Sequence, residues 1–270
     1  KINKYVYGFD VFGKFPTQLS VKDNLFAKSH DHKAGYGKPV KDLNRYLPAI
    51  KTNEDMMFTN KLHEGLFLSD PIDGLANIPD ESIDLIITEP TLQPKNNSLS
   101  GKSPTFTNYM DWVDGWLEES KRVLTTKGSI YIICSWKSSS MYHSILDQKF
   151  SIQSRITAES TSEQEGVSQW KNTISDIWFA TKTNDYIFNQ NYIVDGKNIN
   201  NPHPEEIKNN LWFHLDYNEI IHRIIKASSF KLNWVLDPFM GIGSVGSVAK
   251  KRGRRFIGFE SNQDQLLLAM

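Results

Sequence analysis

The sequence predicts an α/β fold in which helices cover both faces of a doubly wound, mostly parallel sheet. Two observations lead to this prediction. Short apolar segments rich in β-branched residues, such as Ile83–Thr88, alternate with longer segments whose apolar residues recur at helical spacing. The short segments are mostly apolar, as expected of strands that are covered by helices on both faces.

The predicted elements follow one another in order from residue 61. Predicted strands are residues 61–67, 83–88, 129–134, 152–156, 174–181, 234–236 and 255–260. Predicted helices are residues 69–78, 109–124, 138–148, 218–228 and 244–252. Residues 1–60 lack sustained periodicity, which predicts an extension that packs on a single domain formed by residues 61–270. Polar, irregular stretches predict loops at residues 91–106, 158–170 and 183–210.

Composition excludes several classes of protein. The 31 basic residues balance the 31 acidic ones, so any surface that binds nucleic acid has to be a local patch. The single cysteine, Cys134, excludes an internal disulfide framework and fits a reducing compartment. No apolar run reaches the roughly 18 residues of a membrane span and no signal-peptide pattern opens the chain, so we expect a cytoplasmic protein without a membrane partner. The spacing of His203, His214 and His222 fits no metal site, and none is predicted.

The clearest chemical signal is a strand that ends in an acidic residue and leads through a glycine loop into a helix. The loop reads Asp237-Pro238-Phe239-Met240-Gly241-Ile242-Gly243-Ser244. Glycines let the backbone come close to a ligand. Glu260 ends the next strand about twenty residues further on, where a carboxylate can accept hydrogen bonds from both hydroxyls of a ribose. The pattern therefore predicts a nucleoside-binding site.

Two other interpretations of this loop are open. Gly241, Gly243 and Gly246 spell the G-x-G-x-x-G of a nicotinamide-dependent oxidoreductase. In that fold the first glycine follows the strand almost directly, whereas Asp-Pro-Phe-Met intervenes here, and no general acid or base accompanies the loop. The glycines could also form a turn that only fits the helix against the strand.

The loop and the segment G-R-R-F-I-G-F-E at residues 253–260 closely resemble the cofactor motif of the permuted (β-class) DNA N6-adenine and N4-cytosine amino-methyltransferases. In that family the loop reads D-P-F-x-G-S-G-T and is followed by G-R-x-F-I-G-x-[DE]. Permuted members place the catalytic motif before the cofactor motif, and this chain has the same order. The resemblance covers roughly residues 61–270 and implies a Rossmann-like fold of the class I S-adenosylmethionine-dependent methyltransferases.

The resemblance also implies a cofactor, a substrate and a set of site residues. The cofactor would be S-adenosylmethionine and the substrate DNA, in DNA methylation of the restriction–modification type. Residues 183–210 would form a short recognition segment. Glu260 would bind the ribose, and the remainder of the cofactor would be bound by Asp237, Pro238, Phe239, Gly241, Gly243 and Ser244.

The catalytic motif departs from the family pattern. Active members have [D/N/S]-P-P-[Y/F/W], in which the first side chain and the prolyl carbonyl accept hydrogen bonds from the amino group of a flipped base, and the aromatic ring stacks on that base. This chain has Glu89-Pro90-Thr91-Leu92. Glu89 moves the acceptor by ~1 Å, which can slow a reaction ~100-fold. Thr91 lacks the fixed φ of proline, and Leu92 lacks a stacking face worth ~1–3 kcal/mol per base.

Further departures lie on the cofactor side. The family's G-D after the first strand is matched to Gly65-Leu66, and its H-P-T-Q-K-P falls within residues 212–218, where the chain reads W-F-H-L-D-Y-N. Ile242 and Val245 replace a serine and a threonine. These changes predict weak or lost binding of S-adenosylmethionine and a pseudoenzyme, a DNA-binding or structural subunit that forms a homo- or heterodimer with a related active chain. The motif is similar by analogy to the E-P-P-L of the inactive subunit of the eukaryotic mRNA adenine methyltransferase. The alternative is an active methyltransferase with an atypical loop.

Two polar segments are candidates for phosphate contacts. One is the basic run at residues 250–255, which also suits a helix C-terminus. The other is the loop at residues 91–106, which follows the catalytic strand.

Overall fold

The computed structural model describes residues 50–51, 62–90, 106–164, 172–189 and 209–270. The strands are β1 (Ile50–Lys51), β2 (Gly65–Leu68), β3 (Ile83–Thr88), β4 (Leu124–Ser135), β5 (Ser151–Gln164), β6 (Asn172–Thr181), β7 (Leu211–Trp212), β8 (Trp234–Asp237) and β9 (Arg255–Glu260). The helices are α1 (Pro71–Ala76), α2 (Phe106–Val123), α3 (Trp136–Lys149), α4 (Tyr217–Ser228), α5 (Ser244–Lys251) and α6 (Gln263–Ala269). None of these helices is both long and apolar enough to cross a membrane.

The strands form one sheet in the order β1-β2-β9-β8-β3-β4-β6-β5-β7. Neighbouring strands are parallel except at β6, which runs antiparallel to β4 and β5. The sheet winds outward in both directions from β3, which lies between β8 and β4. This confirms the doubly wound, mostly parallel sheet. Ligands of such sheets bind outside the carboxyl ends of the strands where the winding reverses, so a ligand site is expected at the ends of β3 and β8.

Alternate side chains of the central strands feed two apolar cores, one on each face of the sheet. Ile86 of β3 packs with apolar residues of α1, α2 and α3, including the fully buried Trp116. Its neighbours Leu85 and Ile87 pack on the opposite face with residues of α4 and α5. The alternation follows the two-residue period of a strand. Burial on both faces explains why Ile83–Thr88 is apolar almost throughout.

Helix α4 begins at the carboxyl edge of the sheet because Asp216 and Glu219 form a capping box. The Asp216 carboxylate accepts from the Glu219 N–H at 2.8 Å, and the Glu219 carboxylate accepts from the Asp216 N–H at 3.1 Å. Four isoleucines on one stripe of the helix then bury it against the sheet: Ile220, Ile221, Ile224 and Ile225. The cap therefore fixes the position of Tyr217, the first residue of the helix.

Several predicted boundaries were wrong for a common reason. The polar residues 158–164 were predicted as loop, but they continue β5 and pair with β6, where Ala158 faces Ser175. Strand β4 begins at Leu124 and not at residue 129, with a register shift opposite Ile83. Backbone pairing needs no apolar side chain, so apolar runs mark the buried centre of a strand and not its ends. Within the predicted extension at residues 1–60, the structure describes only β1, which pairs with β2; the other residues of the extension lie outside the described ranges.

The basic run at residues 250–255 makes contacts within the fold. The buried Arg254 guanidinium donates to the carbonyls of Ser229 and Ile225 at the end of α4, with the Ser229 contact at 2.6 Å. Lys250 pairs with Glu64, and the guanidinium of Arg255 lies over the ring of Trp234. These contacts favour the structural interpretation of the run over a phosphate site.

Replacement of Gly246 by alanine should destabilise the fold, because a Cβ there would lie 2.5 Å from Cε1 of the buried Phe256 ring. We expect the free energy of unfolding to fall by about 1–3 kcal/mol in urea denaturation. The matched control is Gly115→Ala in α2, where the nearest atom would lie at 3.7 Å, and the gain in helix propensity should raise stability by up to about 1 kcal/mol. Equal effects of the two substitutions would contradict this account of helix–sheet packing.

Candidate active site

A cavity of about 420 Å³ opens at the carboxyl ends of the central strands, where the winding of the sheet reverses. Most of the predicted site residues line it: Glu89, Asp237, Pro238, Phe239, Gly241, Ser244 and Glu260. Gly243 lies behind the wall as the N-cap of α5, with φ of 80°, and a Cβ there would lie 3.1 Å from Cβ of Ala269. Pro90 is buried, and Thr91 and Leu92 lie outside the described residues. Two distant motifs thus meet at one cavity.

Glu260 joins the glycine loop to the end of β9, with one carboxylate oxygen on the loop and the other on the backbone that follows the strand. Oε2 accepts from the Gly241 N–H at 3.0 Å, and Oε1 accepts from the Asn262 N–H at 2.7 Å. Gly241 has φ of 52°, in the left-handed region that favours glycine. A carboxylate oxygen can accept two hydrogen bonds, so each oxygen can also accept one from a hydroxyl group of a ligand.

Asp237 is buried at the end of β8, and its carboxyl group has a raised pKa. Its Oδ1 accepts from the Thr88 hydroxyl at 2.8 Å and from the Phe239 N–H at 3.0 Å. Burial raises the pKa of Asp237 to about 7; these two hydrogen bonds oppose the shift, and the nearby charges of Glu89 and Glu260 add to it. The group therefore changes charge near neutral pH, within the wall of the cavity.

Glu89 follows the last residue of β3, and its side chain lines the cavity. The side chain is accessible to solvent there, yet the surrounding protein raises its pKa by desolvation. The Tyr217 hydroxyl lies close to the Glu89 carboxylate on the cavity wall and lowers that pKa in part. Burial, and then the charges of Glu89 and Asp237, raise the pKa of Tyr217, so the phenol stays protonated and acts as a donor at neutral pH.

Sequence reasoning missed two side chains of the cavity wall on either side of the loop. Tyr217 was counted only within the altered segment at residues 212–218. Trp112 of α2 contacts the ring of Phe239 edge-on, with centroids 5.3 Å apart. The Asp-x-x-Glu pattern of the capping box could have located Tyr217 at a helix start. Trp112 gave no comparable signal, because it is far from Phe239 in the sequence and fits the apolar stripe of a helix.

The match of the family's G-D to Gly65-Leu66 was wrong. Leu66 lies inside β2, where it pairs with Gly258. The strand ends at Leu68, and the acidic residue that follows it is Asp70, which lines the cavity and caps α1. Asp70 precedes a proline at the first helical position, a signal that could have located it. One of the expected departures on the cofactor side is therefore absent.

The charge of the cavity wall has one sign. Its acidic side chains are Asp70, Glu89, Asp237 and Glu260, and no lysine or arginine lies among the described lining residues. A wall of this kind attracts cations and repels phosphates. In the described ranges, no group of three or more His, Cys, Asp or Glu side chains could hold a metal ion. His214 is exposed, beside Glu159, while His203 lies outside those ranges.

Comparisons with known proteins agree with this architecture. The model of the N6/N4 DNA methylase family matches residues 83–270. The type II methyltransferase M.HpaI of Haemophilus parainfluenzae is 29% identical over 236 residues, which cover 77% of this chain and 73% of that protein. The DNA adenine methyltransferase YhdJ of Escherichia coli (strain K12) is 28% identical over 235 residues, which cover 74% of this chain and 79% of that protein.

Solved structures share the fold at lower sequence identity. The cytosine-N4-specific PvuII DNA methyltransferase superposes with a TM-score of 0.63 at 17% identity, over 82% of this chain and 87% of that one. A DNA modification methylase of Thermus thermophilus, solved with S-adenosyl-L-methionine, gives 0.61 at 21% identity, over 76% of this chain and 92% of that one. The predicted class I methyltransferase fold is confirmed.

The raised pKa of Asp237 predicts a specific pH dependence of stability. The carboxyl group has a pKa of about 7 in the folded chain and its ordinary value of 3.8 when unfolded. The folded chain therefore binds the proton more tightly, and the stability that the neutral form provides is lost as pH rises from about 4 to about 7. Asp237→Asn, which stays neutral, should gain stability relative to the wild type by roughly 2–4 kcal/mol between pH 5 and pH 8. Urea denaturation of both ligand-free proteins measures the difference, and parallel pH curves would refute the shift.

Proposed function

Since this chain belongs to the N6/N4 DNA methylase family, we propose that it binds S-adenosylmethionine in the cavity but transfers methyl groups slowly on its own. Its role would be that of a DNA-binding or structural subunit in a methyltransferase complex. The observation that carries this proposal is an acidic cavity, lined by most of the predicted cofactor residues, beside an altered catalytic motif. The two parts are supported by different residues.

The charge of the cavity supports S-adenosylmethionine as the ligand. This cofactor carries a sulfonium and an ammonium group and has no phosphate, so four acidic side chains favour its binding. A dinucleotide would bring a pyrophosphate against the same carboxylates. In addition, the Gly241 N–H, which a phosphate would need, already donates to Glu260. The oxidoreductase alternative is therefore disfavoured, and binding is better supported than the predicted weakness or loss.

The positions of the side chains suggest how the cofactor would be bound. Glu260 offers acceptors to the ribose, and Asp70 lies at the end of β2 on the same wall. Phe239, held edge-on by Trp112 and Trp116, offers an apolar surface. Glu89 and Asp237 would face the positive groups. The cofactor supplies an electrophilic methyl group, and the chain's own residues supply its binding and orientation.

The catalytic motif supports slow transfer. The target nitrogen must point its lone pair at the methyl group, which requires a fixed acceptor for the amino hydrogens and a surface that holds the base. Pro90 is present, but the Glu89 carboxylate lies close to the Tyr217 hydroxyl, and Leu92 offers no aromatic face. One observation favours the alternative of an active enzyme, because the Glu89 carboxylate remains in the cavity wall as an acceptor.

Several relatives are named type II methyltransferases, which supports a restriction–modification setting and DNA as the partner. A chain that lacks a complete motif would act together with a related chain that has one. We therefore propose a dimer with an active methyltransferase subunit. The candidate DNA contact is the segment at residues 91–106, which follows β3 in the sequence.

Binding of S-adenosylmethionine should depend on Glu260. Calorimetry on the isolated chain should give micromolar binding, and Glu260→Gln should weaken it about tenfold or more because a charge-assisted hydrogen bond to the ribose is lost. Asp73→Asn, on the exposed face of α1, is the control and should bind like the wild type. Failure of the wild-type chain to bind would refute the cofactor assignment.

Restoration of the family motif should increase methyl transfer. The triple variant Glu89→Asp, Thr91→Pro, Leu92→Tyr should transfer labelled methyl groups to DNA about 100-fold faster than the wild type. The assay uses a mixture of DNA sequences and compares both proteins with Glu89→Ala. If the wild type matches the triple variant and Glu89→Ala abolishes its activity, the chain is an active enzyme and the proposal of impaired catalysis is wrong.

A further inference from the structure

We propose that Tyr217 is a positioning residue that tethers the Glu89 carboxylate over the cofactor cavity. There Glu89 and Asp237 together select the cationic sulfonium of S-adenosylmethionine over the neutral thioether of S-adenosylhomocysteine. The inference rests on the proposed function, since it takes S-adenosylmethionine as the ligand.

The strand register places the two carboxylates on adjacent strands. β3 and β8 pair directly, with Ile86 opposite Leu236, so their carboxyl ends lie side by side. Thr88, the residue before Glu89, donates its hydroxyl hydrogen to the Asp237 carboxylate at 2.8 Å. Glu89 and Asp237 both line the cavity, and each lies close enough to Tyr217 for its charge to act on the phenol.

An untethered Glu89 would have reason to turn away from this position. Glutamate has three rotatable side-chain bonds. The carboxylates of Asp237, at the end of the adjacent strand β8, and of Glu260, at the end of the next strand β9, line the same cavity. Asp70 adds a fourth carboxylate, and no lysine or arginine lies among the described lining residues to attract Glu89. The Tyr217 hydroxyl lies on the same wall, close to Glu89, where a donated hydrogen bond would counter this repulsion.

Tyr217 is itself fixed and remains a donor. It is the first residue of α4, and the reciprocal hydrogen bonds of Asp216 and Glu219 hold that end of the helix. Its side chain lines the cavity, so the ring cannot move away from Glu89 without opening the wall. Burial keeps the phenol protonated, because it raises the pKa of Tyr217. A rigid donor of this kind can hold the longer side chain that this sequence carries in place of aspartate.

The two ligands differ where Glu89 and Asp237 act. S-adenosylhomocysteine lacks one methyl group and the positive charge on sulfur, while its ribose, adenine and amino-acid groups are the same. A pair of carboxylates in a partly desolvated wall therefore favours the sulfonium ligand without affecting the shared groups. Release of Glu89 from Tyr217 should reduce this preference.

Calorimetry with S-adenosylmethionine and S-adenosylhomocysteine on the full chain at pH 8 tests the inference. Tyr217→Phe, which keeps the ring, should weaken binding of S-adenosylmethionine about three- to tenfold and leave S-adenosylhomocysteine nearly unchanged. Glu89→Gln should have at least the same effect. The double variant should be no weaker than Glu89→Gln alone, because both substitutions disrupt one interaction.

The control variant is Tyr131→Phe, which removes another buried tyrosine hydroxyl, hydrogen-bonded to Ser228 at 2.7 Å and not part of the cavity wall. It should leave the preference unchanged, and thermal unfolding should show that all variants are folded. Equal weakening of both ligands by Tyr217→Phe, or additive effects in the double variant, would overturn the tether while the proposed function stands. A wild-type chain that binds neither ligand would overturn both.

Discussion

The hydrogen bond from Thr88 to the buried Asp237 carboxylate joins the two central strands at the point where the sheet reverses its winding. Both motifs of the site depend on this junction. Glu89 follows Thr88 directly and lines the cavity. The Asp237 carboxylate accepts a hydrogen bond from the Phe239 N–H and so orders the glycine loop. Glu260 fixes the far end of the same loop through the Gly241 N–H. The cavity therefore has a rigid frame before any ligand arrives, and rigid frames bind with less loss of conformational entropy.

The ionised carboxylates of this frame are destabilised by desolvation. Desolvation raises the pKa of Asp237 to about 7 and also raises the pKa of Glu89, so the ligand-free wall does not favour its full negative charge. A cationic ligand reverses the balance, because it favours the ionised form of each carboxylate. Fold stability and ligand affinity are thus opposed at these residues, a conflict that is typical of functional sites. Neutral side chains would make the ligand-free fold more stable but would not attract a sulfonium ion.

Sequence alone could predict the parts of the molecule in which local pattern and burial coincide. β3 was predicted with its observed bounds because all of its residues except Asp84 are buried. The glycine loop was predicted because Gly241 and Gly243 stand where the backbone has positive φ, which favours glycine and is visible in the sequence as a spacing of glycines. β5 was predicted too short, since its last residues pair at an edge and need no apolar side chain. The place of Tyr217 beside Glu89 could not be predicted, because it depends on how α4 crosses the sheet. Asp70 could have been found from its cap, but the match was placed inside β2.

The altered motif and the complete cavity fit together through Tyr217. In the family pattern a short acidic, amide or hydroxyl side chain stands at the end of the catalytic strand, where it can serve the target base. Here a longer carboxylate stands there, and in the proposed tether a phenol from α4 would hold it towards the cofactor wall. In this proposal the longer side chain would carry its acceptor away from the base side and place its negative charge on the cofactor side. This arrangement supports the proposed function, in which the chain binds the cofactor and transfers the methyl group slowly on its own.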